Sequence, residues 1–423
     1  LRSTPSAADG HGSVPGAIDR KVVAGTALQA GGRLVTAAIA FGTVVLLADR
    51  LPRDAFGRFG ATLALLSILD ALVDFGSLSA AVRRVAHEPS AARAVVRAAT
   101  RFRVVMAAIA AIALAAWAVL RDHPQAALVA IAGLGFFTHA AGMGVAVLHA
   151  DIDYRRSEGF RVLGSALGFA GILALVMFGV RDAGSTVLAF CAGSAIANLA
   201  LAASVRADLP PLGAGVATRS FVAEAVTLGA GAVVRQTYYS LNPLLADALA
   251  GPDEAARFLP AYRISGFAIL VSVYASAAAL PALARLRRED RGDLARFVRR
   301  WTLGLFAIGV SIALVLALAS RPLIAWIFPK YADSAAVLAP MCITIAAIHV
   351  GGFALTRLVA GGRSGAVLVV SFVGLAANLA TNFLLTPSLG AIGAAWASVA
   401  TELTVAAGAL VAIRVALRDE PLL

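Results

Sequence analysis

Charge is what this sequence has least of. Of 423 residues, 60 are Asp, Glu, Lys or Arg, or 14%, against roughly 25% in soluble domains. With 60% hydrophobic residues and a mean hydropathy of +0.85, the chain has more apolar side chain than any soluble core absorbs, which excludes secreted, fibrous and disordered classes. Cysteine is nearly absent. Cys191 and Cys342 both fall in apolar stretches without CxxC spacing, so neither a disulfide framework nor a thiolate metal site is expected. Lysine occurs only at 21 and 330, so the basic excess is arginine. No apolar h-region interrupts LRSTPSAADGHGSVPGAIDR at the start; residues 1–21 read as a disordered polar tail, and the first span is expected to direct insertion. No nucleophile elbow, Walker loop or GxGxxG opening a helix is present. No catalytic activity, cofactor or metal is therefore expected.

What is abundant is uninterrupted apolar sequence. About 20 apolar residues span the hydrocarbon as a helix, and such stretches recur at 22–48, 57–80, 102–120, 125–149, 160–180, 183–205, 221–249, 258–284, 301–320, 335–360, 364–386 and 390–414. Stretches this long and without period-2 alternation are not barrel strands, so the expected fold is all-α, a polytopic membrane protein of about twelve helices. The N-terminus and every second loop hold 25 Lys and Arg, and the intervening loops hold 8. The positive-inside rule then puts both termini in the cytoplasm. A +12 net charge distributed this way reflects membrane topology, and no nucleic-acid partner is expected. The two most basic loops, 83–103 and 285–300, fall at equivalent places if the chain divides into lobes 22–206 and 221–415, joined by the Pro/Gly-rich linker 207–220 (Pro210, Pro211, Gly213, Gly215) and followed by a tail at 416–423. Two sets of six spans predict parallel repeats about an axis normal to the membrane.

An ionised side chain at mid-bilayer costs roughly 3 kcal/mol on insertion scales, so each must face a partner or a watery cavity. On the first span Thr26, Gln29, Arg33 and Thr36 share one helical stripe, as do Ser67, Asp70, Asp74 and Ser77 on the second. On the seventh, Glu224, Arg235 and Asn242 lie near whole helical turns apart; the eighth adds Arg263 and Tyr274. Two readings stand side by side. In one, Arg33, Arg235 and Arg263 converge on an anionic group in a polar cavity, where the guanidinium fork suits phosphate. Gln29, Asn242, Tyr238, Tyr239 and Tyr274 then face the substrate, and Asp70, Asp74 and Glu224 exchange a coupling ion. In the other, Arg33 pairs with Asp70 or Asp74, and Arg235 with Glu224, as ties between helices. His139 and His349 are proton relays or packing residues. Pro243, Pro281 and Pro340 interrupt spans 7, 8 and 10 and predict kinks. Gly390-x-x-Gly393-Ala394-Ala395 predicts close helix packing.

The stretch ANLATNFLLTPSLGAIGAAWASVATE, residues 377–402, resembles the late-helix signature of polysaccharide and oligosaccharide-lipid flippases. Arg58-Phe59-Gly60 with Asp74-Phe75-Gly76, and Tyr262-Arg263 with Pro281-Ala282-Leu283, resemble earlier parts of that family. The family belongs to the multidrug/oligosaccharidyl-lipid/polysaccharide export superfamily. The resemblance implies two lobes forming a V around a central cavity lined by spans 1, 2, 7 and 8. It also implies alternating access, a polyprenyl-(pyro)phosphate-linked oligosaccharide substrate, a bacterial plasma-membrane location and pathway partners such as glycosyltransferases or a polymerase, besides membrane lipids. The twelve spans read here depart from the fourteen common in that superfamily. A cation-coupled drug exporter of the same superfamily and a non-transporting scaffold of a cell-wall assembly complex are the competing readings.

Overall fold

The computed structural model describes residues 15–209, 211, 218–289 and 291–419. Residues 1–14 and 420–423, Pro210, Gly213 and Gly215 of the linker, and the side chains of Thr26 and Pro281 lie outside the described residues. The N-terminal lobe runs α1 (Pro15–Arg50), α2 (Arg53–Asp74), α3 (Ser77–His87), α4 (Ala92–Leu120), α5 (Ala126–Ala132), α6 (Gly135–Ala141), α7 (Val145–Ala150), α8 (Tyr154–Met177) and α9 (Ala183–Val205). The C-terminal lobe runs α10 (Thr218–Ala250), α11 (Pro252–Glu289), α12 (Arg291–Ile327), α13 (Ala335–Ala360), α14 (Ser364–Leu389) and α15 (Ala391–Asp419). No strand occurs among the described residues.

Eleven helical segments of the described chain are long and apolar enough to cross a membrane. α10, seventh in chain order, is the remaining span and brings the number to twelve; Arg235-Gln236-Thr237 and Asn242 interrupt its apolar run. Lipid-facing side chains such as Leu120, Phe178 and Trp326 are more than 80% exposed, as expected where hydrocarbon replaces water as the solvent.

Several boundaries differ from the sequence reading. α1 begins at Pro15, inside the stretch read as a tail, and α15 runs four residues past 415. The two basic loops are largely helical extensions, α3 with the start of α4, and the end of α11 with the start of α12. Arginine is a good helix former, and a helix does not stop where the hydrocarbon does. The second span breaks at Phe75 (φ 34°) and Gly76 (φ 75°). A Cβ on Gly76 would lie 2.5 Å from the Gly229 nitrogen of α10, so glycine is required by both conformation and space. The fourth span is not continuous either: glycines at 133, 135, 142 and 144 divide it into α5, α6, a 3-10 turn and α7.

One apolar core joins the lobes. Phe56 and Phe59 of α2, Phe258 and Leu259 of α11, and Phe328 and Tyr331 beside the 3-10 turn Pro329–Ser334 are all buried in it. A Cβ on Gly57 would lie 1.8 Å from the Pro252 carbonyl oxygen, so α2 and α11 touch backbone to backbone at this end. Arg53 with Asp333, Arg257 with Asp333, and Lys330 with Asp49 tie the rim. At the opposite end, α10 enters the N-terminal lobe: Phe221 and Ala225 are buried among Ala80, Ala81, Val85 and Met143.

Candidate functional site

Between the lobes, α1, α2, α5, α6 and α9 wall a cavity of about 290 Å³ whose lining includes Thr43, Phe59, Ser67, Asp70, Phe136, His139 and Cys191, with Arg263 contributed by α11. It is continuous in its lining with a second space of about 470 Å³ that shares Asp70, His139, Phe190 and Ser194 and adds Asp74, Arg103, His149, Arg161 and Asn198. The rim at Tyr331 closes one end. Towards the other end the wall is accessible: the Asp70 side chain is 54% exposed, and Arg33 is exposed.

The charged residues that line these spaces from the N-terminal side have partners, though not the ones expected. Asp70 takes His139 Nδ1 at 2.5 Å, joining α2 to α6. Asp74 pairs with Arg103 of α4; its carboxylate also accepts from the backbone N–H of Gly76 at 3.2 Å and of Leu78 at 3.3 Å, satisfying donors at the start of α3. Arg103 is buried, and it further donates to Ser77 Oγ at 2.7 Å and to the His139 carbonyl at 3.1 Å. Asp74 is thereby engaged in holding the broken second span, with Arg103 in place of the expected Arg33. Arg161 of α8 lies 3.5 Å from Glu158, one turn back. Glu224 binds Arg83 and Arg84 of α3, each at 2.7 Å. The expected Arg33–Asp70, Arg33–Asp74 and Arg235–Glu224 pairs do not form. For the last, 11 residues at 1.5 Å rise separate the two by about 16 Å along one helix, beyond side-chain reach.

Arg263 differs from the rest. It lines the cavity from the C-terminal lobe and sits 5.7 Å from the Tyr262 ring centroid. Its Nε is buried and has no hydrogen-bond partner among the described residues. No carboxylate of the described residues lies within ion-pair distance of it. Among the described residues Arg33 and Arg235 likewise have no ion pair; neither is among the residues lining the two cavities. Arg33 lies within electrostatic range of Arg161 and Glu158, and Tyr274 of α11 within range of Arg161 from the other lobe. Gln29 is half-buried on α1 and lines neither cavity.

Three expected cavity residues belong instead to the interior of the C-terminal lobe. Asn242 is buried; its Nδ2 donates to Ser398 Oγ at 2.7 Å, and its Oδ1 accepts from Asn378 at 3.0 Å and Asn382 at 2.8 Å. Both Oδ1 acceptances and one Nδ2 donation are made inside the lobe, and Asn242 lines neither of the two spaces, so the structure does not bring it to the cavity as expected. Asn378 also donates to Thr401, and Thr386 to Asn382. The late-helix signature therefore fastens α14 and α15 to α10. Its Gly390, at φ 56°, lets Glu254 of α11 reach the Ala391 N–H at 2.7 Å. Tyr238 is buried against Leu355 and Val405, and Tyr239 lies beside Tyr262. His349 is fully buried, donating from Nδ1 to the Ile345 carbonyl at 2.8 Å, which favours the packing reading.

Sequence reasoning missed Arg103 and Arg161 as site residues. Both lie one residue inside a span boundary and were counted with the loops. His139 was weighed, but its partner was not visible. Outside the spans, His123 is held below the ordinary imidazole pKa, by burial first and by the neighbouring Arg58 second.

Solved transporters share this architecture at low identity. The lipid II flippase MurJ in an inward closed conformation is 11% identical, with a TM-score of 0.73 over 90% of this chain and 86% of that one. An inward-facing multidrug resistance MATE family transporter of the MOP superfamily is 15% identical, with a TM-score of 0.70 over 92% and 95%. A MOP superfamily transporter from Pyrococcus furiosus, described as having a binding pocket of reverse polarity, is 14% identical, with a TM-score of 0.68 over 94% and 96%. No curated protein sequence matches significantly. The model of the polysaccharide biosynthesis protein family matches residues 22–287, more than half the sequence. With its helical two-lobe membrane fold, the chain belongs to the polysaccharide biosynthesis protein family.

Proposed function

We propose that this chain is a flippase that carries a polyprenyl-(pyro)phosphate-linked oligosaccharide from the cytoplasmic to the outer leaflet of a bacterial plasma membrane by alternating access. No bond is made or broken. The observation that carries the reading is Arg263, a cation without a counter-ion on the wall of an interlobe cavity. A guanidinium in a low-dielectric wall is strongly attracted to phosphate, and its planar fork binds two oxygens at once. The basic-loop count supports a cytoplasmic location for both termini. The Tyr331 rim then faces outside, and the cavity is reached from the cytoplasm in this state. Transport requires the rim to part and the Glu224 end to tighten, a two-state change that substrate binding must bias. The Asp70–His139 pair, accessible from the cavity, suits proton exchange in the return step.

The test is the polyprenyl-linked sugar pool of a deletion strain carrying wild type, Arg263→Lys or Arg263→Ala. Build-up of a lipid-linked oligosaccharide with Arg263→Ala at normal protein level, partly relieved by Arg263→Lys, is the expected result. An unchanged pool together with new drug sensitivity would assign the cavity to drug export instead. No change in either would leave a non-transporting scaffold.

A further inference from the structure

If the chain is a flippase, the charge pattern of the cavity also restricts its glycan. Three carboxylates face or border the two spaces on the N-terminal side: Asp70 is bonded to His139 and Asp74 to Arg103, while Glu158 has Arg161 at 3.5 Å as its counter-ion and, among the described residues, no hydrogen bond to either oxygen. Arg103 makes three bonds that hold α2, α3, α4 and α6 together, so it cannot turn to a ligand without opening the lobe. Among the described residues lining the spaces, Arg263 is the single arginine without a counter-ion. One free cation at the lobe boundary matches one anionic anchor group.

The rest of the wall offers neutral chemistry. Hydroxyls and amides from Thr43, Ser67, Ser194 and Asn198 can exchange hydrogen bonds with sugar hydroxyls, and Phe136 and Phe190 present flat apolar faces to the C–H sides of pyranose rings. A uronate or other acidic sugar seated there would lose its hydration shell, find Arg103 and His139 already bonded and Arg161 facing Glu158, and meet the half-exposed Asp70 and Asp74 carboxylates. Burying a charge without a partner is strongly unfavourable. We infer that the oligosaccharide carried in this cavity is uncharged, its phosphate or pyrophosphate at Arg263 being the only anionic group. This rests on the flippase reading and names the substrate class within it.

The experiment uses full-length protein in proteoliposomes, with and without an imposed proton gradient, and two synthetic polyprenyl-pyrophosphate trisaccharides. They differ only in whether the terminal hexose carries CH2OH or a carboxylate at C6. Binding is read as protection of Cys191, which lines the cavity, from a thiol reagent in a Cys342→Ala background; movement is read as exposure of the glycan on the far leaflet. The neutral lipid is expected to protect at a concentration at least tenfold lower and to move at least tenfold faster. Asp70→Asn is expected to narrow that ratio. Equal or better protection by the uronate lipid overturns the inference and leaves the flippase reading standing. Better protection by the neutral lipid with movement of neither supports the inference for binding and overturns the flippase reading. Protection by neither overturns both.

Discussion

The approach of α2 and α11 at Gly57 makes the closed rim sensitive to a single methyl group. In Gly57→Ala the new Cβ would lie 1.8 Å from the Pro252 carbonyl oxygen, 2.7 Å from its carbon and 3.0 Å from the Ala256 nitrogen. All three are backbone atoms, so no rotamer change relieves the clash and the helices themselves must part. Overpacking of this kind costs about 1–3 kcal/mol. The rim ion pairs that would resist separation are exposed; Arg53 and Asp333 are each 41% accessible, and such pairs contribute about 0–1 kcal/mol. If the rim opens during transport, the methyl is accommodated in the open state and the whole penalty falls on the closed one. About 2 kcal/mol then shifts the balance roughly 30-fold towards the open rim, since 1.4 kcal/mol is a factor of ten. Cys191 supplies the probe, because it lies on the cavity wall behind the rim. In a Cys342→Ala background, an impermeant thiol reagent applied from outside intact cells should label Cys191 about tenfold or more faster in Gly57→Ala than with glycine retained. Unchanged labelling of a normally expressed, folded variant would refute the assignment of this contact as the moving rim.

Three further outcomes follow from the same geometry. Arg103→Ala should destabilise the detergent-purified protein by about 1.5–3 kcal/mol, because it removes the charge-assisted bond to Asp74 together with those to Ser77 and the His139 carbonyl; the thermal midpoint is the readout, and a shift within error would remove Arg103 as the tie of the second span. Asn242→Leu removes the acceptor shared by Asn378 and Asn382; Asn382 keeps its bonds to Asn378, so the expected cost is about 1–3 kcal/mol for the Asn378 N–H left unsatisfied, again read as a thermal midpoint. His123 is buried with its pKa lowered by that burial. The unfolded chain therefore binds a proton more readily, and this residue's contribution is retained above pH about 6.5 and lost as pH falls below it. His123→Gln should flatten the acid limb of the stability profile, and an identical limb in the variant would show that the imidazole is not responsible.

The late-helix signature illustrates how far pattern reading reaches. Asn378, Asn382 and Thr401 stand out because polar residues at helical spacing in an apolar run are expensive unless bonded. The sequence marks them as important and leaves their partner open. The partner is Asn242 of α10, 136 residues before Asn378 and 140 before Asn382. Asn242 lies on the same stripe as Arg235, so periodicity alone grouped it with the cavity. A helix of a two-lobe bundle has two interiors to face, the lobe core and the space between lobes, and a 3.6-residue period does not distinguish them.

The class of protein, the approximate number of spans and the polar stripes on spans 1, 2, 7 and 8 were determined by the sequence by itself. These follow from local quantities: the length of apolar runs, the cost of charge in hydrocarbon and the period of a helix. Arg263 was legible for the same reason, as a lone cation deep in an apolar span. Only the tertiary structure decided which charges are spoken for. Asp70 meets His139, Asp74 meets Arg103 and Glu224 meets Arg83 and Arg84 because breaks at Phe75-Gly76 and in the fourth span turn those helices towards one another. Ion pairing depends on a few ångströms between segments remote in sequence, a distance that no local pattern contains.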